Sequence, residues 1–454
     1  MGSWRRGATT GDVRLDRRGA WMLERIVATG SVQLREIGGA RRGEMAAHRY
    51  LSSGKVSVES ILAPHVARTG EAARGRRVVA VQDTTEVNFS GRDKGRTGLG
   101  PAGDGVAKGF FIHPVVAVDA DSGALLGVAG ARIWTRASAP TPDHKGRAYA
   151  DKESLRWLEG AQCAAETLLP EASAVIMVAD RESDIYPLFA RRPAGVEFVV
   201  RAARDRALAG RGGLYMAPEA WPELGRLDVR VAPRGPGDKG RTATVAVKAG
   251  TVTIRKPANG GERQDPATLT LNLVEAREVD VAPGVKAPLL WRLVTTLPVA
   301  TFAQAAEVVH LYRLRWRIEE VFRTLKSDGL RLEDSQVESA ARLFNLAALG
   351  LVAAVSIIQL VDARDGSERP ASDVIAAGEI EAAAAIGTML EGATARQKNH
   401  HAKGSLAWLA WIVARLGGWN CYYKPPGPKT MARGLDRLTS RLEGFMLAQE
   451  AQHV

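Results

Sequence analysis

Residues 311–326 read LYRLRWRIEEVFRTLK. At about 100° per residue, Leu311, Leu314, Ile318, Val321, Phe322 and Leu325 fall on one arc, which predicts the core-facing stripe of an amphipathic helix. Tyr312, Arg315, Glu319, Arg323 and Lys326 fall on a different arc of roughly 80°. One face therefore carries a single carboxylate among three cations and a tyrosine, and Glu320 lies off it. Intrahelical pairs such as Arg315 with Glu319 are one explanation of such a face. The alternative is a phosphate-binding surface, because the cations outnumber the acid.

Two more acids stand at the ends of short apolar runs. Val78–Val81 leads to Asp83, and Ala174–Ala179 leads to Asp180. Phe110–Val118 and Ala124–Ile133 flank the turn Asp119-Ala120-Asp121-Ser122-Gly123, a hairpin signal, and a helix is expected around Lys152–Leu168. Strand, hairpin, helix and strand with acids at strand ends predict a mixed α/β sheet. From about Phe198 to Val299 alternating runs (Leu227–Val231, Ala243–Val247, Val252–Ile254, Leu269–Val274) predict a β-rich insertion, punctuated by Pro233-Arg234-Gly235-Pro236-Gly237. Beyond Phe302 the chain reads as mostly helical, with Asp362–Lys403 a candidate linker.

Asp83, Asp180 and Glu319 are the acids that a two-metal phosphodiester site would need, since carboxylates must hold two divalent ions roughly 3.5–4 Å apart. Hard oxygen ligands suit Mg²⁺ or Mn²⁺ over Zn²⁺. Taken singly, each aspartate also reads as a turn residue or a helix N-cap.

With 62 Lys+Arg against 50 Asp+Glu, the chain of 454 residues carries a formal charge of +12, which favours polyanionic partners. Cys163 and Cys421 lie far apart without metal-site spacing, which argues against a disulfide framework or structural zinc and fits a reducing cytoplasm. The basic N-terminus has no apolar core after it and does not read as a signal peptide. Leu343–Val361 is nearly long enough to span a bilayer, but Asn345, Ser356 and Gln359 interrupt it, and it reads as a buried core helix. No membrane association is expected. Trp21–Ala28, Glu44–Leu51 and Val58–Val66 read as short helices with arginines scattered among them, either a DNA-contacting domain or solvated helix faces.

Tyr312-x-x-Arg315-x-x-x-Glu319-x-x-x-x-x-x-Lys326 resembles the Tyr-Arg-Glu-Lys signature of DDE transposases of the insertion-sequence-four group. Asp83-Thr84-Thr85 and Asp180-Arg181-Glu182-Ser183-Asp184-Ile185 resemble that group's first and second acid motifs. Lys152-Glu153-Ser154, Phe198-Val199-Val200-Arg201, Ala414–Gly418 and Leu442–Phe445 sit where similar strings lie in it. The resemblance implies an RNase H-like catalytic core with a β-rich insertion, flanked by helical N- and C-terminal domains. The implied divisions are an end-recognition domain at 1–70, a catalytic domain at 71–365 with its insertion at about 200–299, and a dimerisation domain at 366–454. It further implies Asp83, Asp180 and Glu319 as the triad for two Mg²⁺ or Mn²⁺ ions. Tyr312, Arg315, Arg323, Lys326 and Arg181 would contact DNA phosphates, and Trp291 would take up a flipped base. Gly11-Asp12-x-Arg14 and Glu44-x-Ala46-x-x-Arg49-Tyr50 are similar to end-recognition elements, which points to Arg14, Arg18 and Arg49 as DNA contacts. The implied partners are transposon-end DNA, target DNA and a second copy of the chain in a synaptic complex, at the bacterial nucleoid.

Overall fold

The computed structural model describes residues 8–91, 95–103, 105, 107–137, 153–231, 240–258, 262–326, 329–367, 369–375 and 377–452. Lys152 and the expected punctuation at Pro233–Gly237 lie outside these. The chain opens with helices α1 (Val13–Thr29), α2 (Leu34–Gly38), α3 (Arg41–Leu51) and α4 (Val58–Ala72). Then come β1 (Arg77–Gln82), β2 (Thr85–Asn88), β3 (Gly100–Ala102), β4 (Ala107–Asp119) and β5 (Leu125–Trp134). The middle holds α5 (Arg156–Leu168), β6 (Ala174–Ala179), α6 (Tyr186–Ala190), β7 (Val196–Arg201), β8 (Gly225–Val231), β9 (Arg241–Arg255), β10 (Thr268–Glu278) and β11 (Leu290–Thr295). The helical end comprises α7 (Phe302–Arg313), α8 (Trp316–Leu325), α9 (Ala340–Ala363), α10 (Ile380–Leu390), α11 (Leu406–Leu416) and α12 (Pro428–Gln452).

These elements form two compact units. One comprises Met1–Ala73, Thr84–Pro140 and Arg317–Val454; the other comprises Arg74–Asp83 and Thr141–Trp316.

The first unit is built around α9, which packs against β5, α1, α4, α11 and α12. By length and composition α9 could cross a membrane, but 89% of its most apolar window is buried inside the protein. Its polar interruptions explain how it is accommodated. Asn345 Nδ2 donates to the Val56 carbonyl at 3.1 Å, Gln359 Nε2 to the Leu126 carbonyl at 2.6 Å, and Ser356 Oγ to the Val352 carbonyl at 2.9 Å. Each buried polar group is thus paired within the fold, as burial requires. The hairpin of β4 and β5 forms at the expected place. Asp119 Oδ1 accepts from the Asp121 and Ser122 amides at 3.1 and 2.8 Å, and Gly123 supplies the left-handed residue with φ of 71°. The Asp362–Lys403 stretch is more than a linker, since it contains α10, which packs on α11 through this unit's interior.

The second unit is a sheet in the order β1-β6-β7-β11-β10-β9-β8. The first three strands run parallel, and from β11 onward each pairs antiparallel with its neighbour. Helix α5 packs on β1 and β6, while α7 packs on β6, β7, β9, β10 and β11. The two strands expected at Ala243–Val247 and Val252–Ile254 are a single strand, β9. Its middle pairs with β10 without interruption, Ala249 opposite Val274 and Gly250 opposite Leu273. Gly250 is therefore not a turn. The Trp221 indole lies where its Cβ would be, 2.5 Å from the ring, so only glycine admits the tryptophan there.

Candidate active site

The register of three parallel strands sets the site in the second unit. Val81 of β1 is opposite Val178 of β6, so two residues further on Asp83 stands level with Asp180. Ala179 is opposite Val200 of β7, which puts Arg201 at the next place in the same row. Neighbouring strands lie about 4.8 Å apart, so this register brings two carboxylates and a guanidinium together at the strand ends. Gln82 Nε2 donates to the Trp157 carbonyl at 3.2 Å and ties the end of β1 to α5.

The two aspartates share one buried cation. Arg315, only 5% exposed, places Nη1 3.0 Å from Asp83 Oδ2 and Nη2 3.8 Å from Asp180 Oδ2. Arg201 Nη1 lies 4.0 Å from Asp180 Oδ1, and the Tyr312 hydroxyl donates to the same oxygen at 3.2 Å. Burial pushes the Tyr312 hydroxyl above its usual pKa, and the Asp180 charge adds to that. Asp180 makes no side-chain cap on the short turn Arg181–Ser183, so the N-cap explanation of this residue does not hold. Its carboxylate is turned to Arg315, Arg201 and Tyr312 instead.

The expectation of one continuous helix over residues 311–326 is corrected. α7 ends at Arg313, and the amides of Leu314 and Arg315 bond back to the carbonyls of Leu311 and Tyr312, both at 3.1 Å. These i to i+3 bonds tighten the last turn and satisfy carbonyls that a helix end leaves open. A new helix, α8, starts at Trp316. The single wheel does not extend across this break. Tyr312 and Arg315 are buried in the second unit, while Glu319, Arg323 and Lys326 belong to the first.

Trp291, on β11, is 7% exposed and packs edge-on against Tyr312 with centroids 5.4 Å apart. Trp316 is 55% exposed and sits 4.8 Å from the Arg315 guanidinium. Sequence reasoning passed over Trp316 because it belonged to neither arc of the wheel. Arg201 was legible only as part of the string Phe198–Arg201, without a role. Asp184, likewise, was legible only as part of the string Asp180–Ile185, without a role. Its buried carboxylate accepts from the Ala203 amide at 2.7 Å and from Arg206 Nε at 2.8 Å, fastening the loop after Asp180 to the chain beyond β7.

In the first unit, Glu319 lies half-buried in the first turn of α8 and Arg323 is exposed. Lys326 Nζ donates to the Glu86 carbonyl at 2.6 Å and pairs with Glu333 at 3.1 Å. Arg317 pairs with both Glu320 and Asp362. Burial pushes Glu320 above the usual carboxylate range, against the opposing pull of Arg317. Of the N-terminal arginines, Arg14 on α1 and Arg49 on α3 are exposed, and Arg18 reaches the Ala46 carbonyl at 3.5 Å. Arg181 is exposed in the turn directly after Asp180.

Among the described residues no group of three or more His, Cys, Asp or Glu side chains is gathered closely enough to hold a metal. Asp83 and Asp180 form a pair, with hard oxygen donors in register and a guanidinium set against both. That donor set fits a divalent cation of the oxygen-preferring kind.

Residues 147–356 match the family model of the transposase DDE domain. The match includes Asp180, Trp291, Tyr312, Arg315, Glu319 and Lys326, and it begins after Asp83. It supports a DDE-type transposase, a class whose substrate is DNA.

Proposed function

We propose that this chain is a cut-and-paste DNA transposase of the insertion-sequence-four group, similar to the transposase of transposon five. The observation that supports it most is the register that sets Asp83 beside Asp180, with Arg315 serving both carboxylates. In this reading Asp83, Asp180 and Glu319 hold two Mg²⁺ or Mn²⁺ ions, Glu319 being assigned through the Tyr-Arg-Glu-Lys resemblance. Such ions, when bound, activate the attacking oxygen and stabilise the leaving one in an in-line displacement at phosphorus.

The chain's own residues do the positioning. Arg315 neutralises and orients the two aspartates, and its planar fork suits a phosphate as well as a carboxylate. Tyr312 fixes one oxygen of Asp180. Arg323, Lys326 and Arg181 bind backbone phosphates, and Arg14, Arg18 and Arg49 contact the transposon end. Trp291 takes up a flipped base, for which its indole must leave the Tyr312 ring. Water first nicks one strand at each end. The freed 3′-hydroxyl attacks the opposite strand to form a hairpin, a second water opens it, and the 3′-hydroxyl joins target DNA. Residues 366–454 pair two copies so that both ends are held together.

The test uses end-labelled duplexes carrying the element's terminal sequence, resolved on a denaturing gel. Nicks, hairpins and joined products in Mg²⁺ and none in EDTA support the proposal. Binding without cutting marks a DNA-binding protein derived from a transposase. Cutting without hairpins or joining marks a plain nuclease, and either result overturns it.

A further inference from the structure

The first unit contains a cavity of about 770 Å³ on a flank of α8 away from its core-facing stripe. Its walls come from the β4–β5 turn, α8, the end of α9 and the start of α12. Four cations line it, Arg317, Arg323, Arg364 and Lys429, against three acids, Glu320, Asp362 and Asp365. The acids are already engaged. Arg317 pairs with Glu320 and Asp362, Asp362 also accepts from the Leu125 amide at 3.0 Å, and Arg364 holds Asp365 at 3.0 Å. Arg323 and Lys429 are exposed; the Arg323 charge acts on Glu320 without a close ion pair, and neither cation forms a short ion pair among the described residues. Four cations against three acids leave the lining a net charge of +1, and the cations outside the pairs are these two side chains. The start of α12 adds to it: Pro428 opens the helix, no acid lies in its first turn, and Met431 is the first residue whose amide bonds back, to the Gly427 carbonyl. The amides of Lys429 and Thr430 precede the first intrahelical bond, and both residues line the cavity.

From this net positive lining, in a concave site whose acids are each held by a partner of their own, we propose that the cavity binds a phosphate group, and that a DNA backbone supplies it. Naming DNA as the source rests on the function proposed above; the phosphate chemistry does not. Arg323 and Lys429 grip the oxygens, with the α12 amides behind them.

The probe is Lys429→Gln, with Lys424→Gln as the same charge change at an exposed residue outside the cavity, and Lys429→Arg as the conservative variant. Affinity for a labelled duplex of arbitrary sequence is measured in EDTA against salt. One lost phosphate contact lowers the log–log slope by about 0.9, so between about 50 and 200 mM salt the wild type loses about 3.5-fold more affinity than Lys429→Gln. Lys424→Gln and Lys429→Arg keep the wild-type slope. In a second arm, thermal unfolding is followed in sodium phosphate against potassium chloride at equal ionic strength, and stabilisation by phosphate is lost in Lys429→Gln alone. A response in the duplex arm identifies DNA; one confined to the second arm keeps the phosphate site and removes DNA as its source. No difference between the Lys429 and Lys424 variants in either arm overturns the site. Metal-dependent end cleavage with no cavity response leaves the transposase reading intact, and a cavity response without cleavage does the reverse.

Discussion

Replacing Arg315 with methionine removes a cation that serves both Asp83 and Asp180 while keeping an unbranched apolar stem. At 3.0 and 3.8 Å, with an effective dielectric constant near 20, the two attractions are worth about 5 and 4 kcal/mol before desolvation is counted. Removing one partner of a fully buried pair costs about 3–5 kcal/mol. Here the carboxylates keep 19% and 31% exposure, so water recovers part of the loss, and about 2–3 kcal/mol is expected. Urea unfolding at neutral pH in EDTA reads this as a lower midpoint at unchanged slope. The informative step is to repeat the measurement with Mg²⁺. A cation at 100 times its dissociation constant stabilises a folded protein by about 2.7 kcal/mol, and in the wild type Arg315 competes for the same oxygens. Mg²⁺ should therefore raise the stability of Arg315→Met more than that of the wild type, narrowing the gap between them. Equal gains in both proteins, or a variant as stable as the wild type in EDTA, would refute the idea that guanidinium and metal share these carboxylates.

Glu319→Gln should abolish end cleavage and spare end binding, whereas Glu320→Gln, which gives up only its pairing with Arg317, should keep cleavage within a few-fold; parallel losses on the gel count against the triad. Tyr312 is raised by burial, so its contribution to stability is complete below the ordinary tyrosine value of about 10 and is lost as pH rises from there through its folded value. Tyr312→Phe should flatten that alkaline decline in a thermal melt followed from pH 8 to 11, and an unchanged decline places its cause elsewhere. Trp291→Ala leaves a cavity against Tyr312 and should cost about 3–5 kcal/mol. Trp316→Ala, at an exposed site, should stay within about 0.5 kcal/mol. If Trp291 takes up a base, its variant should accumulate nicked ends and form few hairpins at a temperature where it remains folded; nicking and hairpin yield falling together would make it a packing residue.

Sequence patterning was sufficient wherever local chemistry decides structure. The six apolar residues Ala174–Ala179 are a strand with those same bounds, because a short run buried on both faces has nowhere else to go. The Asp119–Gly123 turn and the apolar length of α9 were legible for the same reason. The resemblance, too, lies in short strings whose residues stand close along the chain. Tertiary structure decided what depends on distant partners. Asp83 and Asp180 are 97 residues apart, and only the pairing of β1 with β6 sets them level. A helical wheel assumes unbroken rotation, so it could not anticipate the tightened turn at Leu314 and Arg315 that puts Arg315 in the interior beside those two acids. Gly250 carries no signal that separates a turn from a strand position crossed by the Trp221 indole. Nor does the alternation around Trp291 and Trp316 tell which indole is buried, because burial depends on the elements that pack over each, and those lie far away in sequence.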